Sequence, residues 1–256
     1  MKVLNASAVS YLNTKPFLYG IFRSVIDKKV RIKLDIPSEC ARKLVAGEVD
    51  LGLIPVVAIA DMEKPIILSD YCIGADGPVK TVMIYSDVPI EKVKQLYMDY
   101  HSRTSVKLAE ILIRDYWKLD IEYLPTESEF FHQIGGETAG LVIGDRTFSL
   151  ANRFEYQYDL AEYWKKMTGL PFVFAAWVSR KPLPKFFLRA FNDALADGVS
   201  LIPKLVDLLP TPTEDFDLAT YFNTHIQYEL DIPKRKALSL FLKKINHSVG
   251  KELTFL

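Results

Sequence analysis

The chain has 256 residues, with 32 acidic and 32 basic side chains, a formal net charge of zero, 49% hydrophobic residues and 12% aromatic ones. That length and apolar content suit one large domain or two ordinary lobes around a sizeable core. Balanced charge without a Lys/Arg-rich run excludes the electrostatic footprint of a nucleic-acid binder, and no apolar run approaches the roughly 20 residues that span a bilayer.

The opening MKVLNASAVSYLN interrupts its apolar residues with Asn5, Ser7, Ser10 and Asn13, so it lacks the continuous block of a secretory signal. Cys40 and Cys72 stand in no CxxC pair and near no His cluster, and are expected as buried packing residues. The chain is read as soluble and cytoplasmic.

In chain order, KVLNAS reads as a short strand, and residues 10–13 open a helix through PFLYGIFRSV with Pro16 in its first turn. VRIKLDIP alternates as a strand. SECARKLVAG is a helix with Ser38 as its N-cap and Gly47 at its end, and VDLGLIPV is a buried strand stopped by Pro55. VKTVMIYSD, from Val79, is extended. A second unit follows: strand QLYMDY, helix SRTSVKLAEILIRDYW, strand IEYLP, a helix near SEFFHQIGG and strand AGLVIGD. PFVFAAWVS is extended again, and the last third is read as helices over PKFFLRAFNDALADGV, DFDLATYFNTHIQYEL and PKRKALSLFLKKIN.

GEVDLGLIPV at 47–56 and GETAGLVIGD at 136–145 match without gaps, which suggests two similar α/β lobes, although a glycine-glutamate pair before a strand is also a common helix-to-strand join. With 79–87 and 172–180 as crossings, residues 1–86 begin the first lobe, 87–175 form the second and 176–256 complete the first. A ligand would lie in the cleft at the carboxyl ends of the parallel strands.

Four stretches place polar groups at that cleft. SYLNTKPF brings Asn13 and Thr14 to a helix start, and YHSRTSVKL brings Ser102, Arg103, Thr104 and Ser105 to another. Free N–H groups, hydroxyls and a guanidinium there suit a carboxylate or phosphate. The same residues also serve as plain caps, Ser102 above all, and Arg103 can pair with a surface acid. ADGPVKTV delivers Thr81 from a turn, and Gly144 and Asp145 end a strand, where Asp145 can equally be a cap. His101, His132, His225 and His247 are too scattered for a metal set, and no GxxxxGK[ST], GxGxxG or GxSxG pattern is present, so neither metal nor cofactor is expected.

Taken together, SYLNTKPF, GLIPV, DGPVKTV, SRTSV, LVIGD and TGLPFVFAAW resemble, in family order over residues 9–177, the chorismate dehydratases of the futalosine route to menaquinone. The tail resembles that family only in helical character and aromatic spacing. The resemblance implies a two-lobed, periplasmic-binding-protein-like (type II) α/β fold. It also implies loss of water from chorismate to give 3-[(1-carboxyvinyl)oxy]benzoate, without a cofactor. Two positions depart from the family pattern: His101 stands where a small hydroxyl residue is usual, and Thr81 where serine is common.

With that reaction in view, Ser102, Arg103, Thr104 and Ser105 are expected to hold a carboxylate. Asn13 and Thr81 are expected to orient the reacting face and the leaving hydroxyl, and Asp145 to line the cleft. Tyr11, Thr14, Pro55, Gly144 and Phe172, inside the matched motifs, are expected to contact substrate. No protein base stands out, which leaves a substrate carboxylate as a candidate. The alternatives are a solute-binding protein for a small carboxylate and the related 1,4-dihydroxy-6-naphthoate synthase, whose early motif is Cys-Pro-Asn-Asp-like where this chain has SYLNT.

Overall fold

The structure, a computed structural model, describes residues 3–126, 129–150, 153–214, 216–245 and 253–255; Met1, Lys2, Ser128, Asp215, Asn246 and His247 of the segments above lie outside them. The first unit runs β1 (Leu4–Val9), α1 (Lys15–Arg23), β2 (Val30–Asp35), α2 (Pro37–Ala46) and β3 (Leu51–Pro55). Both helices accept a proline in their first turn, where a missing N–H costs nothing. Pro37 takes that place in α2, which makes Ile36 the N-cap; Ser38 is already inside the helix. Gly47 ends α2 at a φ of 75°, a conformation that side-chain-bearing residues avoid.

The second unit is β6 (Gln95–Met98), α3 (Arg103–Leu112), β7 (Glu122–Pro125) and β8 (Thr138–Ile143). The helix expected near 128–136 is, among the described residues, a single 3-10 turn at Phe131–Gln133. In the first unit β2 and β3 both pair with β1 in parallel, and in the second β7 and β8 both pair with β6 in parallel. The sequence echo at 47–56 and 136–145 thus falls on β3 and β8, equivalent strands of two units with one strand order. In each unit the order reverses at the first strand, and the crevice at such a switch point is where open α/β sheets receive ligands.

Antiparallel strands extend both sheets. β4 (Ile66–Ala75), β10 (Phe172–Ser179), β11 (Gln227–Glu229) and β12 (Thr254–Phe255) join the first, giving the order β11-β4-β10-β3-β1-β2 with β12 also on β4. β5 (Val82–Ser86) and β9 (Tyr156–Asp159) join the second, in the order β7-β6-β8-β5-β9. The chain changes sheet at residues 76–81, which overlap the start of the first extended run expected to cross, and again through α4 (Leu160–Thr168) to residue 171, just upstream of the second.

The tail supplies α5 (Lys185–Ser200), α6 (Ile202–Val206), α7 (Leu218–Thr220) and α8 (Ile232–Ile245). The helix expected over DFDLATYFNTHIQYEL breaks into α7, one wide π-turn at Tyr221–His225 and β11. α5 crosses α1 in backbone contact: a Cβ on Gly20 would lie 1.9 Å from the carbonyl oxygen of Ala194, and one on Gly198 2.1 Å from that of Pro16. One large apolar core runs through both units, and a smaller one around Tyr85, Phe130 and Phe154 covers the far face of the second sheet. Cys40 and Cys72 are buried. Among the described residues no helix is long and apolar enough to cross a membrane.

Candidate active site

The two switch points face each other. The loop after β1 carries Tyr11 and Asn13, the loop after β6 ends at Ser102 and the first turn of α3 carries Ser105, and between them lies a cavity lined also by Val9, Pro37, Pro55, Ile73, Val79, Thr81, Val82, Ile143, Gly144, Phe174 and Ala175. The volume open to water is about 50 Å³, room for a few molecules at roughly 10–15 Å³ each. Among the described residues no side chain of Asp, Glu, Lys, Arg or His lines it; its polar groups are an amide, three aliphatic hydroxyls and a phenol.

Each polar group is held by its fold position. Asn13 sits in a 3-10 turn, Leu12–Thr14, that precedes α1; its carbonyl accepts from the Tyr228 hydroxyl at 2.9 Å, and its Oδ1 accepts from the Thr14 hydroxyl at 3.4 Å. Thr81 enters β5 from a turn in which Lys80 has a φ of 66°, a strained value for a side-chain-bearing residue. The buried Asp159 carboxylate holds that turn by accepting from the Lys80 N–H at 2.7 Å while also capping α4 through Ala161 and Glu162. Burial raises the Asp159 carboxyl above the ordinary range, and these N–H groups oppose that rise. Ser102 is the N-cap of α3: its Oγ accepts from Ser105 N at 3.3 Å and from the Ser105 hydroxyl at 3.2 Å.

Tyr11 closes the gap between the lobes. Its hydroxyl bonds His101 Nδ1 at 2.9 Å. Gly144, at a φ of 70°, lies so close beneath the ring that an added Cβ would be 2.6 Å from Tyr11 Cζ. The next residue along, Asp145, accepts from the Leu12 N–H with both oxygens, at 3.2 and 3.1 Å. Burial raises the Asp145 carboxyl and the Tyr11 phenol, so the phenol stays a neutral donor. Burial and the neighbouring Arg146 guanidinium lower the His101 imidazole, while Asp99 opposes them. Neutral His101 can therefore accept the hydrogen bond that the Tyr11 hydroxyl donates. Asp99, fully buried, accepts from the His101 and Ile143 backbone N–H groups and pairs with Arg146.

Of the residues singled out from the sequence, Tyr11, Asn13, Pro55, Thr81, Ser102, Ser105 and Gly144 meet at this cavity. Five do not line it. The Arg103 side chain is 58% exposed and pairs with Asp61 at 2.8 Å. Thr104 Oγ1 accepts from Val57 N at 3.1 Å, stitching the lobes together. Thr14 is fully buried behind Asn13. Phe172 packs among Trp164, Phe174 and Phe241 in the core, and Phe174 takes the cavity wall in its place. Asp145 sits under the loop after β1 and acts as a cap, though for the opposite lobe. Among the described residues no group of three or more His, Cys, Asp or Glu is arranged to hold a metal ion.

Two α/β units of one strand order, joined by two passages and closing on a cleft, define the periplasmic-binding-protein-like class. A solved Candida albicans protein, described as exhibiting the generic periplasmic binding protein fold, aligns over 100% of this chain and 98% of its own at a TM-score of 0.59 and 11% identity. A solved Archaeoglobus fulgidus protein aligns over 96% and 98% at a TM-score of 0.71 and 13% identity. The chain belongs to the menaquinone biosynthesis family, whose profile matches residues 4–247. Among curated relatives, the chorismate dehydratase of Thermus thermophilus is 24% identical over 236 residues, which cover 84% of this chain and 86% of that protein.

Proposed function

We propose that the chain is a chorismate dehydratase, a carbon-oxygen lyase that needs no cofactor and converts chorismate to 3-[(1-carboxyvinyl)oxy]benzoate and water. The reading is carried by one observation: Asn13 and Thr81, from separate segments, converge in an uncharged cavity beside the N-terminus of α3. The similarity to the Thermus enzyme supports it. Cytoplasmic location fits the two free thiols, Cys40 and Cys72.

In this reaction the C–H bond at the ring carbon bearing the enolpyruvyl ether breaks, and its electron pair enters the ring, where the ring carboxylate stabilises it. The neighbouring C–OH bond then breaks, and the hydroxyl, taking the proton that the base removed from carbon, leaves as water while the ring becomes aromatic. The protein has three tasks: to hold two carboxylates, to stabilise the departing oxygen and to keep solvent out. The α3 first turn with the Ser102 and Ser105 hydroxyls receives a carboxylate, since unpaired first-turn amides and the helix dipole favour an anion there. Asn13 and Thr81 donate to the leaving hydroxyl. Phe174 and Pro55 flank the ring. With no acidic, basic or imidazole side chain among the described residues at the cavity wall, the base is assigned to a carboxylate of the substrate. A cavity this small admits the ring only when the lobes part, and closure brings Tyr11 back onto His101.

The test is incubation of chelator-treated protein with chorismate and mass analysis for a product lighter by one water. Asn13→Ala and Thr81→Ala should each cost roughly 10²–10³ in kcat, the usual loss on removing one donor to a developing oxyanion. Unchanged chorismate that raises the melting temperature would instead assign the cleft to binding alone.

A further inference from the structure

Tyr221 stands at the start of the π-turn that interrupts the helix expected over 215–230. Such turns widen the helix by one residue and recur at functional sites. The residue is 1% exposed, its ring packed against Phe216 and Phe222 of its own segment and Phe148 of the other lobe. Its hydroxyl faces the Thr81 and Asn13 side chains yet closes no hydrogen bond with either at the usual distance. A buried hydroxyl without a partner is unfavourable, and in native structures it calls for an explanation.

The neighbouring groups supply one. Thr81 Oγ1 has only a marginal contact, to the Val79 carbonyl at 3.5 Å. Asn13 Oδ1 accepts from Thr14, which turns the amide nitrogen away from that side. Both cavity residues therefore have one place open towards Tyr221 and another open towards the ligand. Burial holds the phenol neutral, so it can donate but cannot act as a base.

We propose that Tyr221 is a positioning residue: its O–H donates to Thr81 Oγ1 and its oxygen accepts from Asn13 Nδ2, which aims the Thr81 hydroxyl and the second amide hydrogen of Asn13 at the leaving oxygen. The inference rests on the dehydratase reading and adds to it a third member, outside the cavity wall, that acts through the two donors. Chained hydrogen bonds polarise one another in a desolvated site, so Thr81 is a better donor when it accepts from a phenol.

The test is Tyr221→Phe, which keeps the ring and removes only the oxygen, measured beside wild type and Thr81→Ala. Turnover should fall about tenfold to a hundredfold, the usual loss when a group supporting a direct contact is removed. KM should stay within about twofold, because the donors act on the transition state and not on ground-state binding. The melting temperature should fall by no more than a few degrees, the cost of two neutral hydrogen bonds. In the Thr81→Ala background, Tyr221→Phe should cost less than in wild type, since one of the two donors it acts through is gone.

Wild-type turnover with Tyr221→Phe at full kcat would overturn the inference and leave the dehydratase reading intact. So would fully multiplicative losses in the double variant, or a fall in melting temperature large enough to account for the lost activity. Absence of chorismate turnover in wild type would overturn the reading itself, and the inference with it.

Discussion

Gly144→Ala tests whether the Tyr11 closure matters. Gly144 has a φ of 70°, and an added Cβ would lie 2.6 Å from Tyr11 Cζ and 2.8 Å from both Cε atoms. The left-handed conformation costs a side-chain-bearing residue about 1–2 kcal/mol. Ordinary carbon contacts are about 3.5–4.0 Å, so the ring must retreat by about 1 Å or the strand end must shift. Either movement breaks the 2.9 Å bond from Tyr11 to His101. Misplacement by about 1 Å costs roughly a hundredfold in rate, and kcat/KM for chorismate should fall by that order. The conformational cost should lower the melting point by about 2–8 °C, at roughly 2–4 °C per kcal/mol for a chain of this size class. Calorimetry and steady-state kinetics measure both. Tyr11→Ala provides the control: with the ring gone the new Cβ has room, so Gly144→Ala should then cost stability but little further activity. Wild-type kinetics in Gly144→Ala, or losses that multiply in the double variant, would refute the steric argument.

Arg103→Ala should change KM for chorismate by less than about threefold and stability by less than about 1 kcal/mol, as for other exposed ion pairs; a tenfold rise in KM would return Arg103 to the binding site. Asp145→Ala should cost about 1.5–3 kcal/mol in a denaturant titration, because the Leu12 N–H loses a charged acceptor. Asp145→Asn keeps an acceptor. The Asp145 carboxyl binds its proton more tightly in the folded chain, so its contribution to stability falls as pH rises from the ordinary carboxylate value. Asp145→Asn should therefore gain on wild type as pH rises through that range, and a constant difference would refute the burial argument. His101 has the opposite sign. Its folded value lies below 6.5, so its contribution is full above that pH and is lost as pH falls through the window beneath it. An NMR titration of the imidazole should give a midpoint under 6.5, and one above it would contradict the reading. If, as proposed, Ser105 binds a carboxylate and Thr81 meets the leaving oxygen, Ser105→Ala should raise KM several-fold with little change in kcat while Thr81→Ala lowers kcat.

Much of this arrangement was legible in the residues. The alternation of β1, the first-turn proline of α1, the glycine ending α2 and the paired strands β3 and β8 all follow from local rules, and together they imply the two units. Strand β4 was not legible. Its IILSDYCIGA breaks the apolar run at Ser69 and Asp70, whose demands are met from another element by Asn192 Oδ1, bonded to the Ser69 hydroxyl at 2.7 Å. β9 and α4 were missed as well, although Asp159 caps the helix in a recognisable way.

At the site, the errors are ones of direction. Arg103 follows Ser102 by one residue, a turn of about 100° on a helix, so it points to solvent while Ser102 and Ser105, three apart, share the cavity face. Phe172 and Phe174 share a face by strand alternation, but the pairing of β10 with β4 slips between Val173 and Ala175, and only Phe174 meets the cavity. Tyr221 carries no local signal at all. Its place follows from a π-turn set by packing against Phe216 and Phe148.

The repeated and unrepeated parts of the fold divide the work. Each unit contributes the loop after its first strand, a feature that any two-lobed binding cleft shares, and such loops can bind a small diacid equally well before and after reaction. Uniform binding of that kind gives no acceleration. What the repeat does not account for is the strained turn at Lys80 that delivers Thr81, and the tail residue behind it. Both come from connections outside the two equivalent units, and both bear on one end of the cavity, where Thr81 lies beside Asn13. Under the proposed reaction, a fold built to hold a ligand gains chemistry through such additions: they leave the clamp unchanged and set one desolvated corner against the bond that must break.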